Sequence, residues 1–431
     1  MDSTATLEIR PLEAPPDATV RVPGSKSLTN RALVCAALAK GSSILRGALQ
    51  ADDTEAMVGC LQSVGVDIEA DWDDAELFIK GRNGALPPGP ATVNVRQSGT
   101  TARFVAPVLA LGEGTYQLTG APQMMVRPMG PIFDALRELG VQVDFDGEPE
   151  YLPARITAPG GLAGGSIRQP GHVSSQFLSG LLLAAPAMQH GLQIEMTSEL
   201  VSQPYVELTE SVMRAFGVEV SHQGRSGNVF VVPAERYTGC DYTIEPDASA
   251  ASYFFAAAAV CGGRVRVEGL GRGSAQGDLR FADLLGRMGA SVEVGRGFTE
   301  VRGGGELRGI TADLRDLSDT APTLAVVAAY ASTPTRVTGI GFIRRKETDR
   351  IKAIVTELQR CGVDAEEELD GFVVRPWAGQ PFSTTIKTYD DHRMAMSFAV
   401  AGLRTPGIVL EDPGCVAKTF PRFFEVLDEL R

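Results

Sequence analysis

Five times along the chain an amphipathic segment runs into a glycine that is followed by a short alternating stretch: Ser63-Val64-Gly65-Val66-Asp67-Ile68, Glu138-Leu139-Gly140-Val141-Gln142-Val143, Ala215-Phe216-Gly217-Val218-Glu219-Val220, Arg287-Met288-Gly289-Ala290-Ser291-Val292 and Arg360-Cys361-Gly362-Val363-Asp364-Ala365. These glycines stand 75, 77, 72 and 73 residues apart. A glycine so placed reads as the C′ residue that closes a helix, and the alternation after it as a strand. A sixth segment, Phe423 to Leu430, supplies the helix without the final strand.

Within each repeat the order is an Ala/Leu-rich helix, a Gly-bounded strand, a polar turn, a second helix, its glycine and a strand. In the first, the helix is Arg31 to Ala39, Gly41 ends it, Ser42 to Leu45 form the strand and Asp52-Asp53-Thr54 cap the next helix. Dividing 431 residues by six gives roughly 72 per unit, too long for a solenoid repeat and suited to a βαβαββ unit. The chain also exceeds one ordinary core. The expected fold is therefore α/β (α+β) in two similar domains of three units each. One would comprise residues 24–241, and the other 242–431 joined by 1–23. If each domain is pseudo-threefold, it presents three second-helix N-termini toward one end.

The net charge of -13 and pI near 5.0 argue against nucleic acid or an anionic membrane as partner, since both reward a basic surface. Met1 to Glu8 has neither a basic nor an apolar leader region, and no apolar run reaches membrane-spanning length. The six cysteines, Cys35, Cys60, Cys240, Cys261, Cys361 and Cys415, are scattered, which fits a reduced cytoplasm, no structural zinc and small buried hydrophobes.

The polar turns before the second helices are Ala51 to Thr54, Met125 to Pro128, Ser202 to Tyr205, Gln276 to Asp278, Lys346 to Arg350 and Ala417 to Pro421. In the fifth, Arg344 to Arg350 sets seven charged or hydroxyl residues in a row ahead of an apolar-periodic run. It reads either as a solvated helix start, with Thr348 as N-cap and Asp349 in the first turn, or as an anion site. Cations at a helix N-terminus oppose the macrodipole unless an anion joins them.

Val22 to Arg31 spaces Lys26, Ser27 and Arg31 so that a loop and a first helical turn can share one anion, although Ser25 before the lysine departs from a P-loop. Gln97 to Arg103 is a Gly-containing loop opening a helix, and His172 to Phe177 puts small polar side chains before one. Either is cap chemistry or an anion cradle. Tyr389 to Met396 ends a strand and opens a helix with Asp390, Asp391 and His392 in a row, costly unless paired. His172, His190 and His222 read as surface or capping residues.

In order, P-G-S-K-S-L-T-N-R at 23–31, S-G-T at 98–100, R-P-M at 127–129, V-S-S-Q-F at 173–177, L-V-S-Q-P-Y at 200–205, D-A-S-A-A-S-Y at 247–253, Q-G-D-L-R-F-A-D at 276–283, R-R-K-E-T-D-R at 344–350, D-H-R-M-A-M at 391–396 and A-K-T-F-P at 417–421 closely resemble the 5-enolpyruvylshikimate-3-phosphate synthases, an enolpyruvyl transferase family. The resemblance implies two inverted, barrel-like α/β domains with the active site in the cleft between them. It also implies transfer of enolpyruvyl from phosphoenolpyruvate to the 5-hydroxyl of shikimate 3-phosphate by addition and elimination, with no cofactor or metal, in a cytoplasmic monomer of aromatic amino acid biosynthesis.

Carried over by position, Lys26, Ser27, Arg31, Ser174, Ser175, Gln176, Ser202, Tyr205, Asp319 and Lys346 would hold shikimate 3-phosphate. Lys26, Gly99, Arg127, Gln176, Arg350, Arg393 and Lys418 would hold phosphoenolpyruvate. Asp319 matches the base for the hydroxyl, Glu347 the group that handles the methylene proton, and Lys26 and His392 would assist. By position alone Asp319 reads as an N-cap. Gln97 and Phe104 depart from the family's usual Asn and Pro, while Gly99 is kept where the family's inhibitor glyphosate shares the phosphoenolpyruvate subsite. Two rivals are an enolpyruvyl transferase for UDP-N-acetylglucosamine, which typically has Lys-Asn in the first motif and a mobile-loop cysteine, and a non-catalytic sensor, which would lack Asp319 or Glu347.

Overall fold

The five repeat glycines, Gly65, Gly140, Gly217, Gly289 and Gly362, all take positive φ, from 76° to 115°. Behind each, the next residue reaches back five positions: Val66 N–H donates to Leu61, Val141 to Leu136, Val218 to Met213, Ala290 to Leu285 and Val363 to Leu358. This bond, with the glycine's own to the carbonyl three residues back, closes a Schellman motif and satisfies carbonyls that the helix end would orphan. The computed structural model describes residues 5–224, 227–377 and 384–431. Residues 1–4, part of the stretch read above for a leader, lie outside them.

The chain forms two units, Gly24–Ile244, and Glu245–Arg431 with Met1–Pro23. The helices are α1 (Lys26–Leu38), α2 (Asp52–Ser63), α3 (Gly99–Leu109), α4 (Pro122–Met125), α5 (Gly130–Glu138), α6 (Ser175–Ala184), α7 (Gln203–Ala215), α8 (Ala248–Cys261), α9 (Phe281–Met288), α10 (Ala321–Ala329), α11 (Arg350–Arg360), α12 (His392–Arg404) and α13 (Phe423–Asp428). In the first unit α1, α3 and α6 pack on one another, and in the second α8, α10 and α12 do so. These are the Ala/Leu-rich helices of the repeats, buried over nearly their whole length. Helices apolar all round belong inside. The second helices α2, α5, α7, α9 and α11 each keep an exposed or half-buried face.

Small sheets accompany the helices. In the second repeat, Ala91–Asn94 lies parallel to Glu113–Thr119, which pairs antiparallel with Ala154–Pro159, and that strand with Gln142–Phe145. The first repeat borrows its outer strand from the far end of its unit, Asp241–Thr243 pairing parallel with Ser42–Arg46. The fourth repeat takes Asp17–Val20 against Arg264–Glu268. The sixth, which lacks the strand after its second helix, pairs Thr384–Lys387 parallel with Ile408–Glu411 and receives Thr6–Glu8 antiparallel to the latter. Among the described residues the sheets stay separate, three- or four-stranded.

Several local expectations shift. Helix α1 begins at Lys26 rather than Arg31, because Ser25 accepts the Leu28 N–H and starts the helix one turn earlier. The strand expected over Val218–Val220 runs over Ser221–Gln223, pairing with Val229–Val232. Only Cys35 and Cys60 are fully buried, the other cysteines being half-buried near the ends of elements. His172, His190 and His222 are exposed.

Candidate active site

The second unit gathers its charges on Arg350, the first residue of α11, which is 1% exposed. Its Nε donates to Asp391 Oδ2 at 2.7 Å, Nη1 to Asp319 Oδ1 at 3.0 Å, and Nη2 to Glu347 Oε2 at 2.7 Å and Asp391 Oδ1 at 3.3 Å. Asp319 takes a second guanidinium through its other oxygen, from Arg393 Nη2 at 2.7 Å. Burial works to lower the pKa of Arg350, but Asp391, Glu347 and Asp319 outweigh it and raise it. The guanidinium is thus a fixed charge bridging both expected acid/base carboxyls.

Each partner is set by local structure. Asp391 caps α12, its Oδ1 accepting the Arg393 N–H at 2.9 Å, so cap and ion pair share one carboxylate. Asp319 is not the helix cap that its position suggested. It sits in the 3-10 turn Ser318–Thr320 ahead of α10, and its two oxygens go to arginines, where a charge-assisted bond exceeds what a backbone N–H offers.

Lys346 and Glu347 follow the turn Gly341–Arg345. The N-cap of α11 is Asp349, not Thr348, accepting the Lys352 N–H at 3.1 Å. Arg344 braces this stretch, donating to both Asp349 oxygens at 3.0 and 3.1 Å and to the carbonyls of Glu368 and Leu369 at 2.7 and 3.3 Å. Asp370 holds the Gly339 and Gly341 N–H groups at 2.9 and 2.7 Å. His392 is buried, its Nδ1 3.8 Å from Asp391. Lys418, also buried, ends the turn Pro413–Lys418 that packs on α12.

The first unit collects the remaining expected residues at the starts of its helices. Lys26 pairs with Asp53 at 3.2 Å. Arg31, 1% exposed, donates to Thr209 Oγ1 at 2.8 Å, to the Ser27 and Tyr205 carbonyls at 2.9 Å and to Ser179 Oγ at 3.5 Å. Its guanidinium lies 5.1 Å from the Phe104 ring centroid and 5.9 Å from that of Tyr205. It therefore ties together the main chain of two expected substrate residues, Ser27 and Tyr205. Gln176, at the start of α6 behind its cap Ser174, accepts from Arg103 Nη1 at 2.5 Å and donates to Thr100 Oγ1 at 3.1 Å. Ser175 is buried, and Ser202 precedes α7 with φ 55°.

Gly99 opens α3 against Arg127, where a Cβ would meet the guanidinium atoms at 2.6 to 2.7 Å. Only glycine lets the helix start and that cation come this close.

The structure thus brings together Asp319, Glu347, Arg350 and Arg393 in one unit, and pairs Gly99 with Arg127 and Arg31 with Ser27 and Tyr205 in the other. The model of the family described as EPSP synthase (3-phosphoshikimate 1-carboxyvinyltransferase) matches residues 13–427. The chain belongs to this family. A Nostoc punctiforme protein named 3-phosphoshikimate 1-carboxyvinyltransferase is 47% identical over 429 residues, covering 98% of this chain and 100% of that one. A Ralstonia pickettii protein of the same name is 43% identical, covering 97% and 98%. The solved EPSP synthase of Acinetobacter baumannii superposes with a TM-score of 0.83 at 28% identity, covering 99% of this chain and 98% of that one.

Three residues of this EPSP synthase family member escaped the sequence reading. Asp391 stands in the row Asp390-Asp391-His392, and the cost of such a row unless paired is its signal. Arg344 stands in the basic row that reads as a solvated helix start, and Glu357, whose side chain is 0% exposed, lies in the apolar-periodic run after it. Nothing in the sequence separates those two from their neighbours.

Proposed function

We propose that the chain transfers the enolpyruvyl group of phosphoenolpyruvate to the 5-hydroxyl of shikimate 3-phosphate, releasing phosphate, in aromatic amino acid biosynthesis. The observation that carries this reading is the convergence of Asp319 and Glu347 on one buried guanidinium, at 3.0 and 2.7 Å. Addition needs a proton taken from the attacking hydroxyl and a proton delivered to the methylene carbon of phosphoenolpyruvate, while the oxygen bonds to C2. Elimination then removes a methyl proton and expels phosphate. Two carboxyls with distinct neighbours suit this exchange. Asp319 acts as base for the hydroxyl and Glu347 moves the carbon-bound proton, with Lys26 and His392 assisting.

Both substrates are polyanions, and planar guanidinium forks match their carboxylate and phosphate groups. Lys26, Ser27, Arg31, Ser174, Ser175, Gln176, Ser202, Tyr205 and Lys346 hold shikimate 3-phosphate together with Asp319. Lys26, Gly99, Arg127, Gln176, Arg350, Arg393 and Lys418 hold phosphoenolpyruvate, and glyphosate competes there. The chain works as a cytoplasmic monomer without a cofactor. Among the described residues no helix is long and apolar enough to cross a membrane.

The test is release of inorganic phosphate that requires both shikimate 3-phosphate and phosphoenolpyruvate. Turnover with UDP-N-acetylglucosamine in place of shikimate 3-phosphate overturns the reading.

A further inference from the structure

Residues 388–391 close a tight turn, the Asp391 N–H donating to the Thr388 carbonyl at 3.0 Å. Both central residues, Tyr389 and Asp390, have positive φ, 58° and 53°. A turn with two left-handed central residues normally carries Asn and Gly, because a Cβ is crowded there and a bulky side chain more so. Strain of this kind persists only where surrounding contacts over-determine it. Here it immediately precedes Asp391 and Arg393, the partners of Arg350 and Asp319.

The over-determining contact comes from α11. Arg350 and Glu357 lie seven residues apart, close to two helical turns, so both project from one face of that helix. The Glu357 carboxylate is wholly buried and accepts the Tyr389 hydroxyl at 2.7 Å and the Lys387 N–H at 3.1 Å, while Arg360 pairs with it at 2.9 Å. Burial pushes the Tyr389 hydroxyl up to about 12, with the neighbouring Glu357 adding to the shift, so it remains a donor near neutral pH. Helix α11 thus grips the strand, turn and helix of residues 384–393 at two points, by Arg350 on Asp391 and by Glu357 on Tyr389.

We propose that Glu357 and Tyr389 are positioning residues, a strut that holds the 388–391 turn in its left-handed form and so aims Asp391 and Arg393 at Arg350 and Asp319. The kinetic consequence rests on the assignment of Arg350 and Arg393 to phosphoenolpyruvate made above, whereas the conformational consequence does not. Without the strut the turn relaxes toward an ordinary conformation, and the arginines lose their common alignment.

Tyr389→Phe deletes only the hydroxyl. In this variant kcat/KM for phosphoenolpyruvate should fall about tenfold, the scale expected when a binding group is slightly misplaced. The KM for shikimate 3-phosphate should stay within about twofold of the parent. Amide hydrogen exchange across residues 388–393 should quicken while that of α8 and α10 is unchanged. Glu357→Gln, which keeps an acceptor oxygen for the hydroxyl, should lose less, and the double variant no more than Tyr389→Phe alone. Parent-like kinetics and exchange in Tyr389→Phe would overturn the strut, as would a general rise in exchange with equal losses for both substrates. Should the parent protein fail to turn over, the functional reading falls, and exchange across 388–393 still decides whether the strut exists.

Discussion

Among the described residues Arg31 and Arg350 are the two largest fully buried side chains, one in each unit, and their pKa values shift in opposite directions. The bonds described for Arg31 all go to neutral oxygens, and burial lowers its pKa to about 10, still charged at neutral pH. At Arg350 three carboxylates outweigh burial and raise it. Each arginine has four of its five N–H groups engaged by these bonds. The difference lies in the partners. A buried cation among neutral acceptors keeps its attraction for an incoming anion, whereas one wrapped in carboxylates fixes the orientation of those carboxylates. The same kind of helix start thus sets a buried arginine among neutral oxygens in one unit and among carboxylates in the other.

The sharpest way to break this contrast is through activity. Asp319→Asn and Glu347→Gln should each lower kcat by about 10²- to 10⁴-fold, the usual contribution of a general acid or base, while leaving the unfolding midpoint in urea close to the parent's. If both retained full turnover, the carboxylate-wrapped arginine would be a structural ion cluster only.

Removal of the cations comes next. Arg350→Met strands the fully buried Asp391 carboxylate and should cost about 3–5 kcal/mol of unfolding free energy. Arg31→Met leaves only neutral carbonyls and hydroxyls unsatisfied and should cost about 1–3 kcal/mol. Equal costs in denaturant titrations would show that the partners' charge does not distinguish the two sites. Gly99→Ala forces the Arg127 guanidinium aside and should raise KM for phosphoenolpyruvate roughly tenfold, equivalent to about 1.4 kcal/mol of binding. The KM for shikimate 3-phosphate should change less. The smallest effect is at a repeat glycine away from both clusters. A Cβ on Gly140 meets no neighbour, so Gly140→Ala registers only the positive φ, about 1 kcal/mol by thermal unfolding and no change in kcat.

Much of the architecture was legible because the repeat glycines occupy backbone positions that other residues take only under strain. Their spacing gave the helix ends, the strands after four of them and the number of repeats. Less legible were features fixed by partners far along the chain. The sixth sheet is completed by Thr6–Glu8 and the first by Asp241–Thr243, and no local pattern announces a strand borrowed from some 200 to 400 residues away. Asp319 shows the same limit at the site. Its neighbours make it look like a cap, whereas in the fold its carboxylate takes arginines from α11 and α12.

The sequence by itself determined the repeat, the glycines at which the second helices end, and the cations and carboxylates near the helix starts, because glycine and capping chemistry act over a few residues. Tertiary structure alone decided which charges meet. Whether a buried arginine finds carbonyls, as Arg31 does, or carboxylates, as Arg350 does, depends on elements that packing brings together, and in a low-dielectric interior that choice sets the sign and size of the local field.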